Sequence, residues 1–295
     1  LPDASIPEPL DKLWRDVHDA LKIASLSVGN RERVREKIAY LRQVYRTGLR
    51  PPDFHDEVTR FAYAVAYHPG HAFTYLSLLL RQNLGRAAFD GLKTPISVLV
   101  LGAGPGAETL ALLRWMEAVR PELLTRARFI MVDRADWTDI RKAVLTPTVR
   151  GTWKSNKVEF EKLVVDVASN LGRSQLESEI PRADVIVCPS IISEVITDGL
   201  DHDLMTWLLH RISDTARLML IDHTTTMFRQ REVLWEQVLD VVDKGKTSGF
   251  ILPPLQRWVM EDFLRQNAPD LKPKGSYVMS WSVLAPKQGA GQNRG

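Results

Sequence analysis

The stretch Ile96–Leu113, ISVLVLGAGPGAETLALL, leaves this chain the fewest choices. Ile96, Val98, Leu99, Val100 and Leu101 predict a strand buried on both faces, the habit of a parallel sheet. Gly102, Gly104 and Gly106 follow within five positions, and the spacing from Glu108 to Leu113 opens a helix. Strand, glycine turn and helix together make a ligand cradle. Glycine accepts positive φ and lets a ligand approach the backbone closely. The helix start behind it presents unpaired N–H groups.

Residues 1–8 are Pro-rich and read as extended, and helical spacing follows from Pro9. Leu10, Leu13, Val17 and Leu21 form one stripe, and Val34, Ile38, Leu41 and Val44 form another behind the candidate cap Asn30. Val58, Phe61 and Val65 predict a third helix, His68-Pro69-Gly70 a turn, and 71–84 a fourth helix. From Lys93 onward strands alternate with helices. Strands are expected at 96–101, 128–132, 157–165, 184–187, 216–221 and 277–284. Helices are expected at 107–119, 137–145, 174–179, 204–214, 231–242 and 256–267. The expected fold class is therefore α/β, a Rossmann-like, mostly parallel sheet with helices on both faces, preceded by an all-α N-terminal cap. Residues 1–88 would form the helical cap, 89–287 the sheet domain, and 288–295 a disordered tail.

Composition narrows the function classes. The single Cys188 excludes an intramolecular disulfide framework and a cysteine-based zinc site. A net charge of +3 is mildly basic, which permits a nucleic-acid partner without requiring one. No secretory signal and no apolar run of about 18 residues is present, so no membrane partner and a cytoplasmic location are expected. The chain begins at Leu1 rather than Met, which leaves an organelle address open.

In parallel sheets, ligands bind beyond the carboxyl ends of the strands. Gly102-x-Gly104-x-x-Ala107 fits the dinucleotide fingerprint and equally a G-x-G-x-G loop. Asp133 ends the second strand, 27 residues after Gly106, where a carboxylate can accept two hydrogen bonds from a ribose diol. Asp166 ends the third in Val-Val-Asp-Val-Ala. No Tyr has a Lys four positions later, as a short-chain dehydrogenase would require.

On these residues the segment 93–287 resembles a class I S-adenosylmethionine-dependent methyltransferase domain. The resemblance is to the superfamily's strand-end pattern and not to one family. It implies S-adenosylmethionine as cofactor, with Gly102, Ala103, Gly104 and Gly106 under its methionine part. It further implies Asp133 at the ribose and Asp166 and Val167 at the adenine. The loop after the fourth strand, Cys188-Pro189-Ser190 on to Glu194, would border the transferable methyl. It lacks the Asn/Asp-Pro-Pro-Tyr/Phe found in many enzymes that methylate exocyclic amines of bases. Cys188 follows an apolar strand with no basic neighbour, which argues for packing over nucleophilic chemistry.

Glu194, His223 and Tyr75 are the candidates for orienting or deprotonating an acceptor, beside helix-start, loop and packing roles for the same residues. The acceptor expected is a small molecule or RNA. The RNA reading draws on Arg31, Arg33, Arg35, Arg42 and Arg46 in the N-terminal helices. Two other classes compete: a non-catalytic methyltransferase-like assembly subunit and a nicotinamide oxidoreductase. The sequence says nothing about oligomeric state. Gly245-Lys246-Thr247 is not a P-loop, because the first glycine is missing and a helix is expected before it. The His pairs 68/71 and 202/210 make no convincing metal site.

Overall fold

The computed structural model describes residues 8–27, 31–47, 52–81, 83–142, 144–145, 157–190, 201–223, 239–250 and 276–287. Four helices come first: α1 (Glu8–Ser27), α2 (Arg31–Thr47), α3 (Glu57–Arg81) and α4 (Leu84–Phe89). Strand β1 (Ile96–Leu101) leads through the glycine turn into α5 (Ala107–Val119). Then come β2 (Arg126–Asp133), β3 (Lys157–Val164), β4 (Val185–Pro189), β5 (Arg217–His223), β6 (Leu239–Phe250) and β7 (Ser276–Pro286). They form one sheet in the order β3-β2-β1-β4-β5-β7-β6. The first five strands run parallel, and β7 lies antiparallel between β5 and β6. Strand order reverses between β1 and β4, and such a reversal opens a crevice at the strands' carboxyl ends.

Period-two burial explains why the sheet is covered on both sides. Val98, Val100, Phe129, Met131, Val185 and Val187 face one hydrophobic cluster, which also takes in Leu13, Leu41, Phe73, Leu76 and Trp115 from the helices. Leu99, Leu101, Ile130, Val132, Ile186 and Cys188 face a second cluster, closed by Leu176 and by Leu204 and Leu208 of the helix Asp201–Leu209. Helices α1 to α4 thus share a core with β1 and α5. At the edge, β3 reads KVEFEKLV with mostly exposed, charged positions. That composition discourages pairing with a further strand.

Two expectations are corrected here. The turn at His68-Pro69-Gly70 is absent, because α3 runs unbroken from Glu57 to Arg81 with Pro69 inside it. Proline removes one i→i−4 hydrogen bond. Both halves of α3 nevertheless bury residues in the same cluster, Phe61 and Val65 before the proline and Phe73 and Leu76 after it. A turn would pull one half away. The helix expected over 231–242 also fails over its last four residues, since β6 begins at Leu239 and pairs with β7. The P-loop is therefore excluded by different evidence: Gly245-Lys246-Thr247 lies within an antiparallel strand, with Gly245 opposite Trp281. The expected helix 256–267, the tail from 288 and the cap Asn30 lie outside the described residues.

Candidate functional site

The glycine turn folds as its residue types require. Gly104 and Gly106 have φ of 45° and 93°, a region that strains any residue with a side chain. The Ala103 N–H donates to the Val132 carbonyl at 2.9 Å, which carries the β1–β2 pairing two residues past Leu101. The Gly106 N–H then donates to the Ala103 carbonyl at 2.8 Å, closing the turn. Gly106 caps α5 with no side-chain hydrogen bond.

Asp133 stands against this turn. One carboxylate oxygen accepts the Gly104 N–H at 2.8 Å, and the other accepts the Ala135 N–H at 3.0 Å. A carboxylate has about four lone-pair sites, so about two remain. Sequence spacing anticipated this acid but not its direct bond to the loop.

Arg141 was missed altogether. It belongs to the short helical stretch 138–142 and is buried behind the loop. Its Nε donates to the Gly104 carbonyl at 2.8 Å and its Nη1 to the Met131 carbonyl at 3.4 Å. Burial draws the guanidinium below its ordinary value, while Asp133, Asp136 and Glu108 push it back. The one available signal was a lone Arg eight positions after the acid, which no motif marks.

Asp166 lies two residues beyond the end of β3 and is exposed. Its carboxylate accepts the Ala168 N–H at 3.0 Å. Val167 beside it is buried in the second cluster. Cys188 is fully buried in that cluster too, and burial together with the nearby Asp222 pushes its thiol up to about 12. Such a thiol stays protonated and unreactive. Pro189 ends β4, and Ser190 after it has φ of 53°, left-handed backbone in a residue with a side chain. The Ser190 N–H donates to the Ile221 carbonyl at 2.7 Å. His223 is the last residue of β5, and Glu194 lies outside the described residues.

Tyr75 reaches this edge from above. It is buried, and its hydroxyl lies 3.4 Å from Ser190 Oγ. It ends a stripe of rings on α3. Tyr63, Tyr67, His71 and Tyr75 recur every four residues, with successive ring centres 5.0, 6.3 and 6.2 Å apart. Helical neighbours four apart lie on one face. At the far end Tyr45 of α2 meets Tyr67 edge-on at 5.4 Å, and Trp137 meets Tyr63 at 5.6 Å. No group of three or more His, Cys, Asp or Glu gathers as a metal set among the described residues. No helix among them is long and apolar enough to cross a membrane.

Comparison with known proteins follows the same line. Residues 40–237 match a family model described as "Putative SAM-dependent methyltransferase". Among solved structures the chain is similar to N-methyltransferase NodS from Bradyrhizobium japonicum in complex with S-adenosyl-L-homocysteine. There the identity is 11%, covering 72% of this chain and 88% of that one, with a TM-score of 0.41. It is also similar to a TehB-like SAM-dependent methyltransferase from Corynebacterium glutamicum, with 12% identity, coverage of 75% and 99%, and a TM-score of 0.40. A third is precorrin-6y C5,15-methyltransferase from Geobacter metallireducens, with 13% identity, coverage of 72% and 86%, and a TM-score of 0.40. No curated protein matches the chain.

Proposed function

The chain belongs to this family of S-adenosylmethionine-dependent methyltransferases, and from that premise we propose that its acceptor is a base of RNA. The family sets aside the nicotinamide reading of the glycine loop. The cofactor supplies an activated methyl, so what remains for the protein is alignment and exclusion of water.

The residues fit an adenosine-type cofactor. A Cβ built at Gly104 meets nothing within 4 Å, so the turn faces open space where a ligand can lie against bare backbone. Asp133 keeps acceptor capacity for a ribose diol. In this reading Gly102, Ala103, Gly104 and Gly106 pass under the methionine part. Asp166, Val167 and the backbone of Cys188 and Pro189 flank the ring and the methyl. Tyr75 and Ser190 orient the acceptor, with Glu194 and His223 as further candidates from the loops beside them.

The observation that carries the RNA reading is the ring stripe and where it starts. It runs from Tyr45 on α2 to the Tyr75 hydroxyl at the end of β4. Helix α2, RERVREKIAYLRQVYRT, carries six basic residues against two acidic ones, a net charge of four, where the whole chain has +3. Arg33, Arg35 and Arg42 are exposed, and Tyr40 and Tyr45 are 39% and 43% exposed beside them. Positive charge interleaved with rings suits single-stranded nucleic acid, each stacked base contributing about 1–3 kcal/mol.

The test has two arms. Titration with S-adenosylhomocysteine should show binding in the parent and none in Asp133→Ala. RNA affinity should fall steeply with salt, and a less steep fall is expected once Arg33, Arg35 and Arg42 are replaced by Glu. With a labelled methyl donor and cell extract, label in the RNA fraction supports the proposal. Label confined to small molecules would replace RNA as acceptor and leave the cofactor site standing.

A further inference from the structure

Gly104 is held on both sides of its α-carbon. Its N–H is taken by Asp133, and its carbonyl is taken by Arg141 Nε at 2.8 Å. The next residue is Pro105, so the peptide bearing that carbonyl has an acceptor and no donor. If the oxygen faced the cradle, it would repel an anion, and no N–H of the same peptide would offset it. Arg141 is 5% exposed, and its Cγ lies 3.9 Å from a Cβ built at Gly106, whereas a Cβ at Gly104 meets nothing within 4 Å. Its Nη2 is buried with no hydrogen-bond partner. Its Nε and Nη1 hold carbonyls of the loop and of β2. A buried cation stays in such a place only where acceptors or acids surround it.

We propose that Arg141 is a positioning residue for the amino-acid end of the cofactor: by turning the Gly104 carbonyl inward, it clears the cradle for a carboxylate. This rests on the methyl-donor reading of the site. The role assigned is exerted through the Gly104 carbonyl and not through a contact between Arg141 and the ligand. It acts through the loop, and it matters for ligands that bring a carboxylate to the glycine turn.

Two ligands separate this role from general support of the fold. S-adenosylhomocysteine carries the amino-acid end, whereas 5′-methylthioadenosine has the same adenosine and thioether without it. Affinities for both are measured by calorimetry in the parent, Arg141→Met and Arg141→Lys, with thermal unfolding to compare folding. In Arg141→Met, S-adenosylhomocysteine affinity should fall at least tenfold, and methylthioadenosine affinity less than threefold. Arg141→Lys retains a cation able to reach one carbonyl, so it should recover part of the loss with the same selectivity. It carries the test if the Met variant does not fold. Equal losses for both ligands, or no loss for either, would overturn the proposal. A parent that binds methylthioadenosine but not S-adenosylhomocysteine would also overturn it. A parent that binds neither would overturn the cofactor reading beneath it.

Discussion

His68 is fully buried in the middle of α3, and neither ring nitrogen has a hydrogen-bond partner. Burial alone lowers its pKa from 6.5 to about 3. The unfolded chain therefore takes up a proton near pH 6.5, while the folded one resists until about 3. Below pH 6.5 the unfolded state binds more protons, so stability falls as pH drops and levels off only near 3. His68→Phe should remove this part of the slope. Urea midpoints between pH 7.5 and 4.5 should decline less in the variant than in the parent, and equal declines would refute the assignment. At this scale some of the site was legible. That Gly104 and Asp133 lie together could be read because a bare turn and an acid at a strand end are local features of the sequence. Arg141 could not, because its part depends on where residues 138–142 settle against the loop. His68 was weighed as half of a metal pair, and nothing local to it revealed full burial.

Helix α3 depends on its start. Asp56 accepts the Val58 N–H at 3.3 Å and the Thr59 hydroxyl at 2.7 Å, and it pairs with Lys37 of α2 at 2.8 Å. Burial opposes its ionisation, but Lys37, Thr59 and the Val58 N–H outweigh that and bring it to about 2. Loss of an N-terminal cap costs about 1 kcal/mol. Asp56→Ala should therefore lower the denaturant midpoint at pH 7 by a corresponding amount. The difference from the parent should shrink as pH falls from about 4 toward 2, because the parent's carboxylate is then protonated. A difference independent of pH would mean that the charge on Asp56 contributes nothing. The elements themselves were only partly legible. Period-two and period-3.6 patterns located α1, α2, α5 and most strands, because each such element buries a face. Pro69 was read as a break because local rules count its lost hydrogen bond and not the shared core beneath both halves of α3. The 231–242 stretch had helical spacing, but pairing with β7 prevails from Leu239 onward, and that partner lies far ahead in sequence.

For the whole molecule, a buried ion pair fastens α1 to α5, the helix that follows the glycine turn. Arg114 of α5 donates to both carboxylate oxygens of Asp16 of α1 at 2.6 and 2.8 Å, across 98 residues of sequence, and adds Glu117 at 2.6 Å. Breaking a buried pair by deleting one partner costs about 3–5 kcal/mol, since the other charge is stranded. Asp16→Ala should lower the unfolding midpoint sharply, whereas Asp16→Leu combined with Arg114→Met should recover much of the loss. A double variant no better than the single one would show that packing, not charge, fastens α1. Nothing in the sequence predicted this fastening, because each residue taken alone reads as a solvated helix charge.

The unbroken run of α3 has a last consequence. One of its faces carries the rings that lead to Ser190, and another packs on α5, the helix launched from the glycine turn. In the proposed site, the rings that would guide the acceptor and the helix behind the donor's cradle therefore share one scaffold. Where binding one guest alters affinity for its companion, the alteration must be mutual.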